Sequence, residues 1–119
     1  MSHPNPQIIL PQIENYALWA QELATQNDLC GLLMNWQKRA AFERVLAVLG
    51  QNIKRLPADL CQNYPAVSWQ KWVNWSDHIT ATHDGLDYAS LWRSANQETP
   101  GLITTVRQIL ADLKAKPPA

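Results

Sequence analysis

The chain has little charge, and this shortage excludes several classes of protein. Charged residues make up 17% of its 119 residues, and ten Lys and Arg balance ten Asp and Glu. A neutral chain argues against a protein that holds nucleic acid mainly through a broad basic surface. No apolar run approaches the length of a membrane-spanning helix, so we expect no membrane partner. The opening MSHPNPQ has no basic start followed by an apolar stretch, so a secretion signal is not expected.

Reactive motifs are also scarce. Cys30 and Cys61 form no CxxC pair and no Cys/His finger spacing. Free thiols without a chemical role, in a cytosolic protein, are therefore favoured for both cysteines over a disulfide or a metal site. The sequence has no glycine-rich phosphate loop, no HExxH and no GxSxG. We expect a cytoplasmic protein that uses neither a metal nor a cofactor.

Apolar residues recur with helical spacing along most of the chain, and no alternating pattern typical of strands competes with them. A first helix is predicted with Pro11 in its first turn and with a break at Asn27 and Asp28. A second, longer helix is predicted over residues 29–56, because Pro57 cannot continue it.

Three more helices are predicted in the second half of the chain. Ser68 can cap a third helix, Asp87 a short fourth one, and Thr99 a fifth. The sequence therefore predicts an all-α fold, an antiparallel bundle of four to five helices. The 119 residues are expected to form one domain. Its Pro-rich ends, residues 1–7 and 115–119, are expected to be loose.

Some apolar residues exceed what a single core face requires. Leu18 and Trp19 lie off the apolar stripe of the first helix, and Leu32 lies beside the stripe of the second. Apolar residues outside the core face often mark an interface. We therefore expect a homodimer or a larger homo-oligomer.

Residues 68–92 concentrate aromatic and imidazole side chains in the stretch SWQKWVNWSDHITATHDGLDYASLW. Trp69, Trp72 and Trp75 are spaced for one broad helical face, where packing is favoured over a platform for stacking bases. His78 and His83 would lie about 140° apart on a continuous helix, so they do not form a metal site by themselves.

The stretch AAFERVLAVLGQNIKRLP, residues 40–57, resembles the second-helix signature of the HepT-like toxin family. That signature reads A-x-x-R-x-L-x-x-I-G-E-A-x-x-x-L. The residues that fall into place are Arg44, Leu46, Gly50 and Leu56. Gln51 and Asn52 stand where the family usually has Glu-Ala.

A second similarity lies in YPAVSW and GLDYASLW, which resemble the segments that flank the family's active motif. Trp69 and Trp92 stand the same distance apart as the family's two tryptophans. The stretch TPGLITTVRQIL resembles the family's closing helix, so the similarity extends over roughly residues 13–113.

This resemblance implies the HEPN fold and a function. Family members are typically endoribonuclease toxins that act without a metal, with RNA as substrate. They are encoded beside a small nucleotidyltransferase-type antitoxin. Their motif is an Arg, four to six residues, a His, one residue and a Tyr. The Arg can stabilise charge on a phosphoryl group, and the His can move a proton near neutral pH.

The active motif is degenerate here. With the two tryptophans in register, Ser76 takes the Arg position, Asp77 fits the next one, Ala81 takes the His position and His83 the Tyr position. A shifted register would place His83 at the catalytic His and His78 at the Arg.

The candidate catalytic residues are therefore Ser76, Asp77, His78 and His83. An acid–base pair of the two histidines would need a cation nearby, and SDHITATHDGLD contains no Arg or Lys. Two functions stay open. One is a toxin-type subunit with weak or lost ribonuclease activity. The other is a non-catalytic module that docks the nucleotidyltransferase.

Overall fold

The computed structural model describes residues 5–82 and 85–115 of the chain. Within these ranges it contains seven helices and no strand. The helices are α1 (Pro6–Gln26), α2 (Leu29–Met34), α3 (Trp36–Lys54), α4 (Ala58–Gln62), α5 (Trp69–Ala81), α6 (Tyr88–Gln97) and α7 (Thr99–Ala115). The predicted all-α class is confirmed.

Helix α1 begins earlier than the sequence pattern predicted. The side chain of Asn5 accepts a hydrogen bond from the Gln7 N–H, and Pro6 occupies the first helical position. These two residues together form a start signal, so Pro11 lies inside the helix and not in its first turn. Two residues of the segment expected to be loose, residues 6 and 7, thus belong to α1.

At the other end, α7 includes Ala115, the first residue of the segment expected to be loose, residues 115–119. The predicted ends at residues 1–4 and 116–119 lie outside the described residues.

The predicted helix over residues 29–56 is divided in two at Asn35. This residue has extended backbone angles, ends α2 and caps α3. Its side-chain oxygen accepts hydrogen bonds from the N–H groups of Gln37 and Lys38. A side chain that binds these N–H groups starts a new helix. Apolar spacing alone cannot reveal such a break.

The core lies between α1, α3, α5 and α7. Helix α3 packs most extensively against α5, and α1 packs against both α3 and α7. Fully buried aliphatic and aromatic side chains come from most of the helices, among them Ile9, Leu10, Ile13, Leu32, Phe42, Leu46, Leu49, Leu91, Leu102, Val106 and Ile109. Each stabilises the fold by about 1.5–3 kcal/mol relative to an exposed position. The interface role expected for Leu32 is wrong, since this side chain is in the core.

The segment that contains the candidate site is fixed at both ends by tryptophans. At the start of α5, the indole N–H of Trp69 donates to the carbonyl of Tyr64 at 3.0 Å. In α6, the indole N–H of Trp92 donates to the carbonyl of Asn27 at 2.9 Å. Asp87 caps α6 by accepting from the Ser90 N–H, as predicted. Among the helices of the described ranges, none combines the length and apolar character needed to cross a membrane.

Candidate functional site

Ser76 lies in a close helix contact, where α5 crosses α3. Its side chain is buried, at 1% exposure, and its hydroxyl donates to the carbonyl of Ala47 at 2.6 Å. A Cβ placed on Gly50 would stand 2.3 Å from the Ser76 Cβ and 2.5 Å from the carbonyl oxygen of Trp72. Side chains do not approach that closely, so Gly50 and Ser76 are the small residues that allow this contact.

Asp77 and His78 lie on the solvent side of the same helix. Asp77 forms an ion pair with Lys54 at 2.8 Å, with both side chains more than half exposed. Such a pair is worth about 0–1 kcal/mol. His78 is half-buried, and its Nδ1 lies 3.5 Å from the Thr82 hydroxyl, at the outer limit of a hydrogen bond.

A carboxylate lies near His78, on the turn that begins α6. The pKa of Asp87 is lowered, chiefly by hydrogen bonds from the hydroxyl and the N–H of Ser90. Electrostatic interactions with Arg93 and His78 lower it further. His78 therefore has an acidic neighbour that stays ionised below the usual carboxyl range.

The predicted catalytic set is not gathered around one point. Ser76 faces α3, whereas the next residue, Asp77, faces solvent. Ala81, at the family's His position, is the exposed last residue of α5. His83 lies outside the described residues, so its pairing with His78 stays a prediction.

Lys71 is a cation that the sequence analysis missed. Together with Asn74, Trp75 and His78 it lines a surface cavity of about 460 Å³. Lys71 stands seven residues before His78, and this spacing of two turns places both on one helix face. Its ammonium group already pairs with Glu98 at 2.6 Å. The stretch SDHITATHDGLD begins at Ser76 and so leaves out Lys71, although the helical spacing between Lys71 and His78 indicates a shared face.

The residues described here include no group of three His, Cys, Asp or Glu side chains placed to hold a metal ion. The groups available for chemistry here are the imidazole of His78, the carboxylate of Asp87 and the ammonium group of Lys71, which is paired with Glu98. If Trp69 and Trp92 are aligned with the family's two tryptophans, the positions of the motif's Arg, His and Tyr hold Ser76, Ala81 and His83.

Comparison with known proteins supports the resemblance seen in the sequence. The model of the HepT-like family, described as "Ribonuclease HepT-like", matches residues 13–109. The chain is 29% identical over 73 residues to "Putative RNase MJ0125" of Methanocaldococcus jannaschii, an alignment that covers 61% of this chain and 63% of that protein. It is 28% identical over 76 residues to "Putative RNase MJ1216" of the same organism, covering 64% of this chain and 63% of that protein.

A bacterial relative gives a similar match. "Putative RNase TTE0752" of Caldanaerobacter subterraneus subsp. tengcongensis is 29% identical over 70 residues, which cover 59% of this chain and 62% of that protein. The matches thus span somewhat less than two thirds of these three relatives' own lengths. No solved structure shows significant similarity to the chain. Since the family model covers most of its length, the chain belongs to the HepT-like ribonuclease family.

Proposed function

We propose that this chain is a toxin-type subunit of a HEPN/nucleotidyltransferase toxin–antitoxin pair whose metal-independent endoribonuclease activity is weak or lost. The observation that carries the proposal is the environment of Ser76. At the position where the family has its catalytic Arg, this chain has a buried Ser whose hydroxyl donates to the carbonyl of Ala47 on α3 at 2.6 Å. A guanidinium group at this position would need space that α3 occupies.

The chemistry argues in the same direction. Removing one electrostatic donor from such a site typically costs about a hundred- to a thousand-fold in rate. Losing the acid–base group costs roughly a hundred-fold or more in addition. Lys71 is a weak substitute, because its ammonium group is held by Glu98 and lacks the planar fork of Arg.

Assembly is the second part of the proposal. We infer a homodimer that docks a small nucleotidyltransferase antitoxin in the cytoplasm. Several large apolar side chains are exposed, with Ile8 at 62%, Trp19 at 48%, Met34 at 81% and Trp36 at 66%. Exposed apolar side chains of this size favour protein contacts. The earlier expectation for Trp19 agrees with this exposure.

An alternative function is a binding module without any catalytic role. The close contact of Ser76 with α3 favours this alternative. A side chain that is buried in helix packing is not available to act on RNA. Under this alternative the bundle serves only to dock the nucleotidyltransferase. The two functions differ in whether any RNA cleavage survives.

The assembly can be tested by co-expression with the nucleotidyltransferase that this proposal expects in the neighbouring reading frame. The mass of the purified chain and of the complex is then measured by light scattering. We expect a dimer alone and a stable complex with the partner. Trp19→Ala should weaken one of these contacts, whereas Thr104→Ala, an exposed position on α7, should not. The proposal would be contradicted if the chain were a monomer at high micromolar concentration and also formed no complex with the nucleotidyltransferase.

A further inference from the structure

Trp75 differs from the tryptophans that anchor the fold. Trp69 and Trp72 are buried, and the packing role predicted for them is confirmed. The indole N–H groups of Trp69 and Trp92 each donate to a backbone carbonyl. The N–H of Trp75 is buried, but no acceptor lies within reach among the described residues.

Trp75 is partly buried and packs against the core, as predicted. An unpaired buried donor is costly, however, and this packing does not require one. A Phe or Leu could fill apolar space at this position without that cost. We therefore expect the indole ring of Trp75 to contact a ligand through its surface. Part of the Trp75 side chain lines the cavity of about 460 Å³ described above, so this surface is available to a ligand.

The other lining groups indicate a neutral ligand with hydrogen-bonding edges. Lys71 is already neutralised by Glu98, so a free anion would have to displace a close ion pair. The Asn74 side-chain oxygen accepts from Gln70 at 2.9 Å. Its amide nitrogen has no acceptor among the residues that the structure describes, and a ligand could receive that hydrogen bond.

We propose that this face of α5 binds an unpaired nucleobase. Its plane stacks on Trp75, and Asn74 donates to its edge beside His78. Every base has a π face that can stack on an indole, and Trp is suited to this. The base can belong to a free nucleoside or to single-stranded RNA, since both present the same chemistry. This inference does not require cleavage or a nucleotidyltransferase partner.

The test uses the indole N–H signals of the full chain in proton–nitrogen NMR spectra, with the Trp75 signal assigned through Trp75→Phe. Four probes are added in turn: adenosine, ribose 5-phosphate, a single-stranded 2′-O-methyl RNA hexamer, and the same hexamer as a duplex. We expect the Trp75 signal to shift with adenosine or with the single strand. A response to adenosine identifies a free-nucleoside site, and a response to the hexamer alone identifies a site for a base within a strand.

Matched variants separate stacking from other effects. Trp75→Leu, whose binding is followed through backbone amide signals, should weaken binding by roughly 5- to 150-fold, the range expected for the loss of one base–aromatic stack. Trp75→Phe keeps a ring and should lose less. Trp36→Leu, which removes an exposed indole on α3, should leave the affinity unchanged. Circular dichroism verifies that each variant is folded, and the Asn74→Ala variant tests the site if Trp75→Leu unfolds.

Three results would overturn the inference. One is no shift of the Trp75 signal with millimolar adenosine or with the hexamer. Another is an equal response to ribose 5-phosphate, since that would identify an anion site. The third is equal affinity in Trp75→Leu and the parent. The hexamer has no 2′-hydroxyl and cannot be cleaved by attack of that group, so failure here is distinct from failure of the proposed function.

Discussion

Substituting Gly50 by Ala tests the close contact between α3 and α5. The new Cβ would lie 2.3 Å from the Ser76 Cβ and 2.5 Å from the Trp72 carbonyl oxygen. The second of these atoms is backbone, so a rotamer change cannot relieve the overlap and the helices must separate. Overpacking of this kind costs about 1–3 kcal/mol, and the upper end applies here. Ala gains about 1 kcal/mol over Gly in a helix, which leaves a net loss of about 2 kcal/mol.

Thermal unfolding followed by circular dichroism measures this loss. For a domain of this size, about 2 kcal/mol lowers Tm by roughly 6–12 °C. Gly101→Ala is the matched control, because Gly101 also lies in a helix and a Cβ there meets nothing within 4 Å. It should raise Tm slightly. If Gly50→Ala were as stable as the parent, the helices would be further apart than described, and an arginine could fit at position 76.

Three further perturbations test the fold around the site. Trp69→Ala should cost about 3–5 kcal/mol in a urea titration, because it removes a buried indole and its bond to a carbonyl. Asn35→Ala should cost about 1 kcal/mol through loss of the α3 cap, whereas Ser68→Ala should cost little, since the Ser68 side chain makes no capping bond. The Asp112 hydrogen bond, aided by burial and the negative charge of Asp112, raises the pKa of Tyr64 above its ordinary value. The hydrogen bond therefore stabilises the folded protein fully below about pH 10, the ordinary pKa of tyrosine. This stabilisation is lost as the pH rises through the higher pKa of Tyr64 in the folded state. Tyr64→Phe should therefore flatten the dependence of Tm on pH in that alkaline range.

Most of the helices could be predicted because each is marked by local chemistry. Asp87 caps α6, and Asn27 with Asp28 lies at the break after α1, as expected. The break at Asn35 could not be predicted from periodicity, because α2 and α3 both continue the apolar pattern. The start of α1 was missed because both Pro6 and Pro11 suit the first turn of a helix. The side chain of Asn5 caps the helix and so makes Pro6 its first residue.

The candidate site was less predictable than the fold. Spacing shows which residues share a helix face, but it does not show which face meets which helix. Ser76 and Gly50 are 26 positions apart, and nothing local reveals that they touch. The substitution Ser76→Arg, which the family motif would suggest, therefore meets a closed contact. Position 76 can accommodate an arginine only if α3 and α5 move apart.

Cleavage of single-stranded RNA by the purified chain is the most direct measurement of the central claim. We predict a rate at or near that of a buffer control, unchanged in His78→Ala, because the register set by Trp69 and Trp92 places Ser76 and Ala81 at the positions of the motif's Arg and His. Metal-free buffer with a chelator removes contributions from contaminating nucleases that need metal. Rapid cleavage that copurifies with the chain and is abolished by His78→Ala or His83→Ala would contradict the account and would identify an altered, working site.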